Sequence, residues 1–460
     1  MARFLLLVAC AGTPGKDTPD PDSGSVPAGS LADASLTIEG GPSYSAGSAV
    51  ALARDADGTM RAVVGGPFAG ITCAVALPRE GRVSMEGAPD CWSAESTRDN
   101  AGIALAAGDW DGDGFADLLV GAITQEDIGP TSGKVYVVPG PLEGGGALGA
   151  VAVALRGETK GDYAGWAVAV VPDTNGDGRA ELFVGAPGSE RGGLGGGAAY
   201  LLTDPPVDGT LLQSETVFVG RGPATAAPPH GAPSEGDGVG SVLGDAGDLD
   251  GDGLSELLLG ANGHETGGAD AGAVAVWMGP APTGVLAFDD ADRLWVGAAA
   301  LTYAGDAAIG AADLTGDGLP DLAVVDQVGP GVVRIVASPP PPSGPLPDAT
   351  WATVRGEADG DQAGASIAAA DLDGDGADDL VVGAYGNDAT GDTAGAVYVV
   401  RGPFLAGDHD ARDGAVWRGV AANDWAGRVV AAGEGVVVVG APYAASGAPF
   451  GGAAYVLDGR

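Results

Sequence analysis

The sequence predicts an all-β fold: a seven-bladed β-propeller of four-stranded antiparallel blades, with the ring closed by an N-terminal strand, and three observations carry this. A small residue followed by Gly recurs seven times, at Ala46-Gly47, Ala101-Gly102, Ala164-Gly165, Val239-Gly240, Ala304-Gly305, Ala363-Gly364 and Ala426-Gly427, with the glycines 55, 63, 75, 65, 59 and 63 residues apart. Five of these units also carry an acidic loop: DWDGDGFAD from Asp109, DTNGDGRAE from Asp173, DLDGDGLSE from Asp248, DLTGDGLPD from Asp313 and DLDGDGADD from Asp371. The composition agrees, since 84 glycines and only 5% aromatic residues suit short, tightly turned strands better than long helices.

Within a unit the elements follow a fixed order. After the Gly comes a strand of small residues, such as Trp166 to Val171 or Ala365 to Ala370, which fits the crowded axis of a ring. The acidic loop follows, then an apolar strand such as Leu118 to Val120 or Leu380 to Val382. A Gly-Ala pair closes that strand, as at Gly121-Ala122, Gly185-Ala186, Gly260-Ala261, Gly383-Ala384 and Gly440-Ala441. A Gly-rich loop leads to a third strand (KVYVV at Lys134, AVYVV at Ala396), and a fourth ends on Gly157, Gly356 or Gly419. One such blade cannot bury both faces alone, whereas stacking in a ring does so and leaves no long open edge.

The chain ends fit that ring. The last unit stops after its third strand, near Tyr455 to Asp458, while Leu36 to Gly40 (LTIEG) has the fourth-strand pattern but precedes the first Ala-Gly pair. LTIEG is therefore expected to complete the last blade. The division is residues 1–10 as an export signal, 11–34 as a disordered tether and 35–460 as the propeller. Met1 to Cys10, MARFLLLVAC, is too short to span a bilayer but has the order of parts of an export signal. Ala11 to Gly29 holds Pro, Gly, Asp and Ser with almost nothing to bury.

The five loops place oxygen ligands at positions 1, 3, 5 and 9, with Gly at 4 and 6 to allow a sharp turn, a pattern suited to the hard, oxygen-loving Ca²⁺. The sets are Asp109, Asp111, Asp113 and Asp117; Asp173, Asn175, Asp177 and Glu181; Asp248, Asp250, Asp252 and Glu256; Asp313, Thr315, Asp317 and Asp321; and Asp371, Asp373, Asp375 and Asp379. An EF-hand would need Glu at position 12, where these loops have Val120, Val184, Leu259, Val324 and Val382. Thr315 offers a neutral oxygen, so that loop is expected to bind most weakly. The first and seventh units have only short turns, Asp55 to Gly58 and Gly433 to Gly435, and no metal is expected there.

Taken together, [Ala/Val]-Gly, DxDGDGxxD and Gly-Ala-Pro in seven units resemble the FG-GAP repeats of the integrin α-subunit propeller, from about Leu36 to Arg460. Ala or Val stands where the family has Phe before Gly. Leu7-Val8-Ala9-Cys10 resembles the lipobox of bacterial lipoproteins, implying a lipid on Cys10. The absence of Asp after that Cys implies the outer membrane, with the lipid as the membrane contact.

A formal charge of −41 repels phosphate backbones and argues against nucleic acid as a partner; five bound Ca²⁺ would bring it to about −31. Cys73 and Cys91, close together in one unit, are read as a disulfide of an exported protein. His230, His264 and His409 lie in different units and read as surface loop residues, and no catalytic set is assigned. The resemblance implies a calcium-stabilised, surface-anchored binding or adhesion propeller, expected to be monomeric, with a protein or glycan ligand. A calcium-dependent enzyme acting on polysaccharide or phospholipid, and a purely structural envelope protein, stay open beside it.

Overall fold

A computed structural model describes residues 28–203, 208–222, 236–445 and 449–459. Seven sheets stand in a ring, each inner strand packing on the next and the seventh on the first. Blade 2 shows the common plan: Ala104–Gly108, Asp117–Ala122, Lys134–Val138 and Val153–Arg156 pair antiparallel in that order, with Ala104 opposite Gly121 and Lys134 opposite Arg156.

The blades hold five strands, not four. The added strand is a short edge, parallel to the fourth, lent by the connector of the following blade. Gly209–Thr210 from blade 3 lies beside Val153–Arg156 of blade 2, and Gly407–Asp410 from blade 6 lies beside Ala352–Arg355 of blade 5. The sheets are therefore mixed. The cause is the outer edge: an uncovered fourth strand would present unpaired amides and carbonyls, and the loan covers them.

Closure uses the N-terminal segment twice. Leu36–Glu39 pairs antiparallel with Ala453–Asp458, Ile38 facing Ala454, and so supplies the fourth strand of blade 7 as expected. The ring takes in residues that the sequence assigned to the tether, because Ala28–Ser30 runs parallel to Ala415–Arg418 as the edge of blade 6. Between them Leu31–Asp33 makes a 3₁₀ turn capped by Ser30, whose Oγ accepts from the Ala32 amide at 3.2 Å, and Leu31 is fully buried. Residues 28–34 thus belong to the ring; Cys10 and the rest of the expected signal and tether lie outside the described residues.

The core is seven seams, one apolar cluster between each pair of neighbouring blades. Second strands are buried on both faces: Leu118 and Val120 face blade 1, while Leu119 faces blade 3. This explains their unbroken apolar runs. Each fully buried Leu or Val contributes about 1.5–3 kcal/mol. The paired glycines bring seams together: a Cβ on Gly121 would lie 2.1 Å from the Gly165 carbonyl oxygen of blade 3. Gly65 meets Gly102, Gly185 meets Gly240, and Gly383 meets Gly427 in the same way. Cys73 and Cys91 are bonded across adjacent strands of blade 1, Cα to Cα 4.1 Å.

Candidate metal centres

Each acidic loop joins the first strand of its blade to the second. The first carboxylate folds the loop around itself: Asp109 Oδ1 accepts from the Gly112 and Asp113 amides at 2.8 and 3.1 Å, and its Oδ2 from Gly114 at 2.9 Å. Asp173 makes the matching bonds at 2.6, 3.2 and 2.8 Å. The turn requires left-handed backbone at both glycines, φ +76° at Gly112 and +88° at Gly114, which Gly adopts at little steric cost.

The ninth residue opens the buried second strand. Asp117 accepts from the Trp110 amide at 3.0 Å and the Gly140 amide at 2.7 Å. Glu181 accepts from Thr174, Asp321 from Thr315 and Ser338, and Asp379 from Leu372 and Gly402. Desolvation pushes Asp117 up to about 6 and Glu256 up to about 7, their backbone donors opposing and neighbouring loop carboxylates adding to the rise. Burial also raises Glu181 and Asp321. At Asp173 burial pushes upward, but four backbone amides outweigh it and hold the carboxyl below its ordinary value.

Side chains converge to different degrees. In blade 4 all four residues, Asp248, Asp250, Asp252 and Glu256, bring oxygens within 4.8 Å of one another. Blade 2 brings together Asp109, Asp111 and Asp117, without Asp113; blade 3 gathers Asp173, Asp177 and Glu181; blade 6 gathers Asp371, Asp373 and Asp375, without Asp379. Asn175 turns its amide nitrogen to Glu181 at 2.8 Å, so it must flip to offer its oxygen to a cation. The blade 5 carboxylates Asp313, Asp317 and Asp321 do not gather in this way among the described residues.

The donor chemistry fits a hard divalent cation. Every candidate ligand atom is an oxygen, and the Thr315 hydroxyl is buried beside the Asp321 carboxylate. Among the described residues, none of the loop carboxylates in blades 2–5 has a Lys, Arg or His within ion-pair distance. The loops also touch one another: the Ser255 amide donates to the Asp173 carbonyl at 3.0 Å, and the Asp378 amide to the Asp313 carbonyl at 2.8 Å.

Two features escaped the sequence. His264 is fully buried rather than on the surface, its Nε2 at 2.9 Å from Asp289 and 3.0 Å from Arg221. His409 sits on an edge strand, and His230 lies outside the described residues. The acidic residue three before the unit Gly recurs as a buried turn cap: Asp162 accepts from Glu158 and Thr159, and Asp424 from Ala421. The signal was present at Asp99, Asp162, Asp237, Asp361 and Asp424, all buried.

Comparison with known proteins agrees with this architecture. The FG-GAP repeat matches residues 101–138, 164–202 and 363–400, which are strands one to three of blades 2, 3 and 6. The chain is similar to Integrin alpha pat-2 of Caenorhabditis briggsae, 29% identical over 245 residues that cover 50% of this chain and 18% of that protein.

Proposed function

We propose that this chain, an FG-GAP-repeat propeller homologous to integrin α, is a calcium-braced extracellular module that binds a protein or glycan ligand. A binding or adhesion role is consistent with the repeat family; ligand, calcium and anchoring are the further steps of this reading. Asp109, Asp111, Asp117, Asp173, Asp177, Glu181, Asp248, Asp250, Asp252 and Glu256 would hold the ions in blades 2–4. A bound cation there supplies charge neutralisation for carboxylates that otherwise repel. Cys10 would carry the lipid that tethers the ring to a bacterial outer membrane, and the ring acts as a monomer.

The observation that carries the binding half is on the rim away from the acidic loops. Tyr385, Trp425 and Tyr443 are only partly buried and in contact, ring centroids 5.3 and 4.7 Å apart, with the Arg428 guanidinium 5.3 Å above Tyr385. Aromatic faces beside a cation suit sugar rings and protein side chains alike. The test is a glycan and protein array probed with the full chain in calcium and in chelator. Specific binding lost in Trp425→Ala, with the melting temperature unchanged, is expected. Turnover of an arrayed polysaccharide or phospholipid would replace this reading with an enzymatic one, and binding insensitive to Trp425→Ala would move the site elsewhere.

A further inference from the structure

Strand register allows the seven inner turns to be compared position by position. The ninth loop position lies four residues before the second-strand Gly, as Asp117 before Gly121, Glu181 before Gly185 and Glu256 before Gly260. In blade 1 the residue four before Gly65 is Arg61, paired with Ala53 as Asp117 is paired with Gly108. The first loop position, Asp109 in blade 2, follows that paired residue, so in blade 1 it is Arg54. Blade 1 therefore carries arginine at both positions where blades 2–6 carry the anchoring carboxylates. In blade 7 the same positions are Glu434 and Val436.

These arginines are engaged. Arg54 pairs with Glu434, joining the first loop positions of blades 1 and 7. Arg61, nearly buried, has its Nη2 2.8 Å from Glu143 of blade 2 and its Nε 3.8 Å from Asp55. Asp55 in turn accepts from the Ala116 amide of the blade 2 loop at 3.0 Å. Blade 6 keeps all its carboxylates, yet Arg401 Nη1 lies 2.6 Å from the buried Asp379 and Nε 3.9 Å from Asp373. The same guanidinium donates from Nη2 to the Gly459 carbonyl, at the end of blade 7. Asp379 is also the one ninth-position residue missing from an otherwise gathered loop.

We propose that the ring is braced by two kinds of cation: a metal ion in the loops of blades 2–4, and arginine on the arc of blades 6, 7 and 1 where the chain closes. Arg401, Arg54 and Arg61 are the fixed cations of that arc, and Arg401 opposes metal entry at Asp371, Asp373 and Asp375. Closure then holds when metal is withdrawn, while the opposite side loosens. This rests on the calcium reading above, and the experiment separates the two.

Hydrogen exchange of the full chain in calcium and in chelator reads both. Chelation is expected to raise exchange about tenfold or more in 104–122, 168–186 and 242–261, and less than about twofold in 366–384, 429–458 and 36–66. Equal loss of protection at 366–384 and 104–122 would overturn the proposal. In parallel, calorimetric titration of Arg401→Gln should show one site tightened about tenfold or more over the wild type, because a like charge close to the ion is gone. Arg401→Lys should reproduce the wild-type isotherm. An Arg401→Gln isotherm identical to the wild type would refute the role of Arg401. No calcium bound by the wild type at millimolar concentration would refute the calcium reading itself. In that case Arg401→Gln must still deprotect 366–384 in metal-free buffer, or the arginine brace fails as well.

Discussion

Replacing Glu256 by Gln separates a metal ligand from a merely buried acid, because the two roles give opposite signs. Glu256 is fully buried, and its carboxyl is pushed up to about 7 from an ordinary 4.5. Between those values the folded chain holds a proton that the unfolded chain has released, so metal-free stability falls as pH rises through that window. Above pH 7 the charge costs the fold at most about 3 kcal/mol. Gln removes that cost but offers one acceptor where Leu249 and Gly279 both donate, leaving an amide unsatisfied for about 1–3 kcal/mol. In chelator at pH 8, Glu256→Gln should therefore be neutral or stabilising by about 1 kcal/mol, turning to a loss of about 1 kcal/mol or more below pH 5. In saturating calcium it loses one of four gathered carboxylates, and a hundredfold weaker site forfeits about 2.7 kcal/mol. Urea denaturation under the three conditions measures all of this. The same stability change with calcium and with chelator at pH 8 would refute a cation at this loop.

Two further substitutions probe the ring itself. Gly121→Ala drives a Cβ to 2.1 Å from the Gly165 carbonyl and should cost about 3 kcal/mol or more, whereas Gly244→Ala, whose nearest atom is 3.6 Å away, should cost under about 1 kcal/mol in the same urea titration. Deleting residues 28–40 removes the fourth strand of blade 7 and the edge of blade 6 together, and is expected to prevent a single cooperative melt when unfolding is followed by circular dichroism. A cooperative melt unchanged by that deletion would contradict closure by this segment.

The parts of the fold that repeat were readable in the sequence. Gly spacing set the blade number, and a doubly buried second strand such as Asp117–Ala122 announced itself as an unbroken apolar run. The fifth strands were hidden because they are short, two residues at Gly146–Ala147, Gly209–Thr210 and Gly344–Pro345 and no more than four elsewhere, and none forms a buried apolar run. Ala28–Ser30 looked like linker for the same reason: an edge held by backbone pairing leaves little trace in side-chain chemistry. The acidic loops were legible as a pattern, but their differences were not. That Asp379 pairs with Arg401 depends on where a residue 22 positions later returns to the same rim. His264 was misread because its burial comes from Arg221 and Asp289, distant in sequence.

The two rims of the ring differ in the side chains they leave open to solvent. In blades 2, 4 and 6 the amide at loop position eight (Ala116, Ser255, Asp378) donates to the turn of the preceding blade, to Asp55 Oδ1, the Asp173 carbonyl and the Asp313 carbonyl respectively. Blade 5 cannot do so, since its position eight is Pro320, which has no amide hydrogen and lies against Gly247 of blade 4 instead. The loop amides thus couple blades 1–2, 3–4 and 5–6 directly, and Arg401 to Gly459 and Arg54 to Glu434 add ties between blades 6 and 7 and between 7 and 1. A loop so tied to its neighbour has little freedom to reshape around a macromolecular ligand, and its carboxylates are already folded onto its own amides. The opposite rim is tied as well, the Trp425 amide donating to the Thr393 carbonyl of blade 6 at 3.2 Å, but there the Tyr385, Trp425 and Tyr443 side chains touch one another across blades 6 and 7 and remain partly open to solvent. That cluster sits on the arginine-held arc, so ligand binding there should survive calcium concentrations that already loosen blades 2–4. Binding that falls in step with blade 2–4 protection as calcium is lowered would place the ligand on the metal-held side.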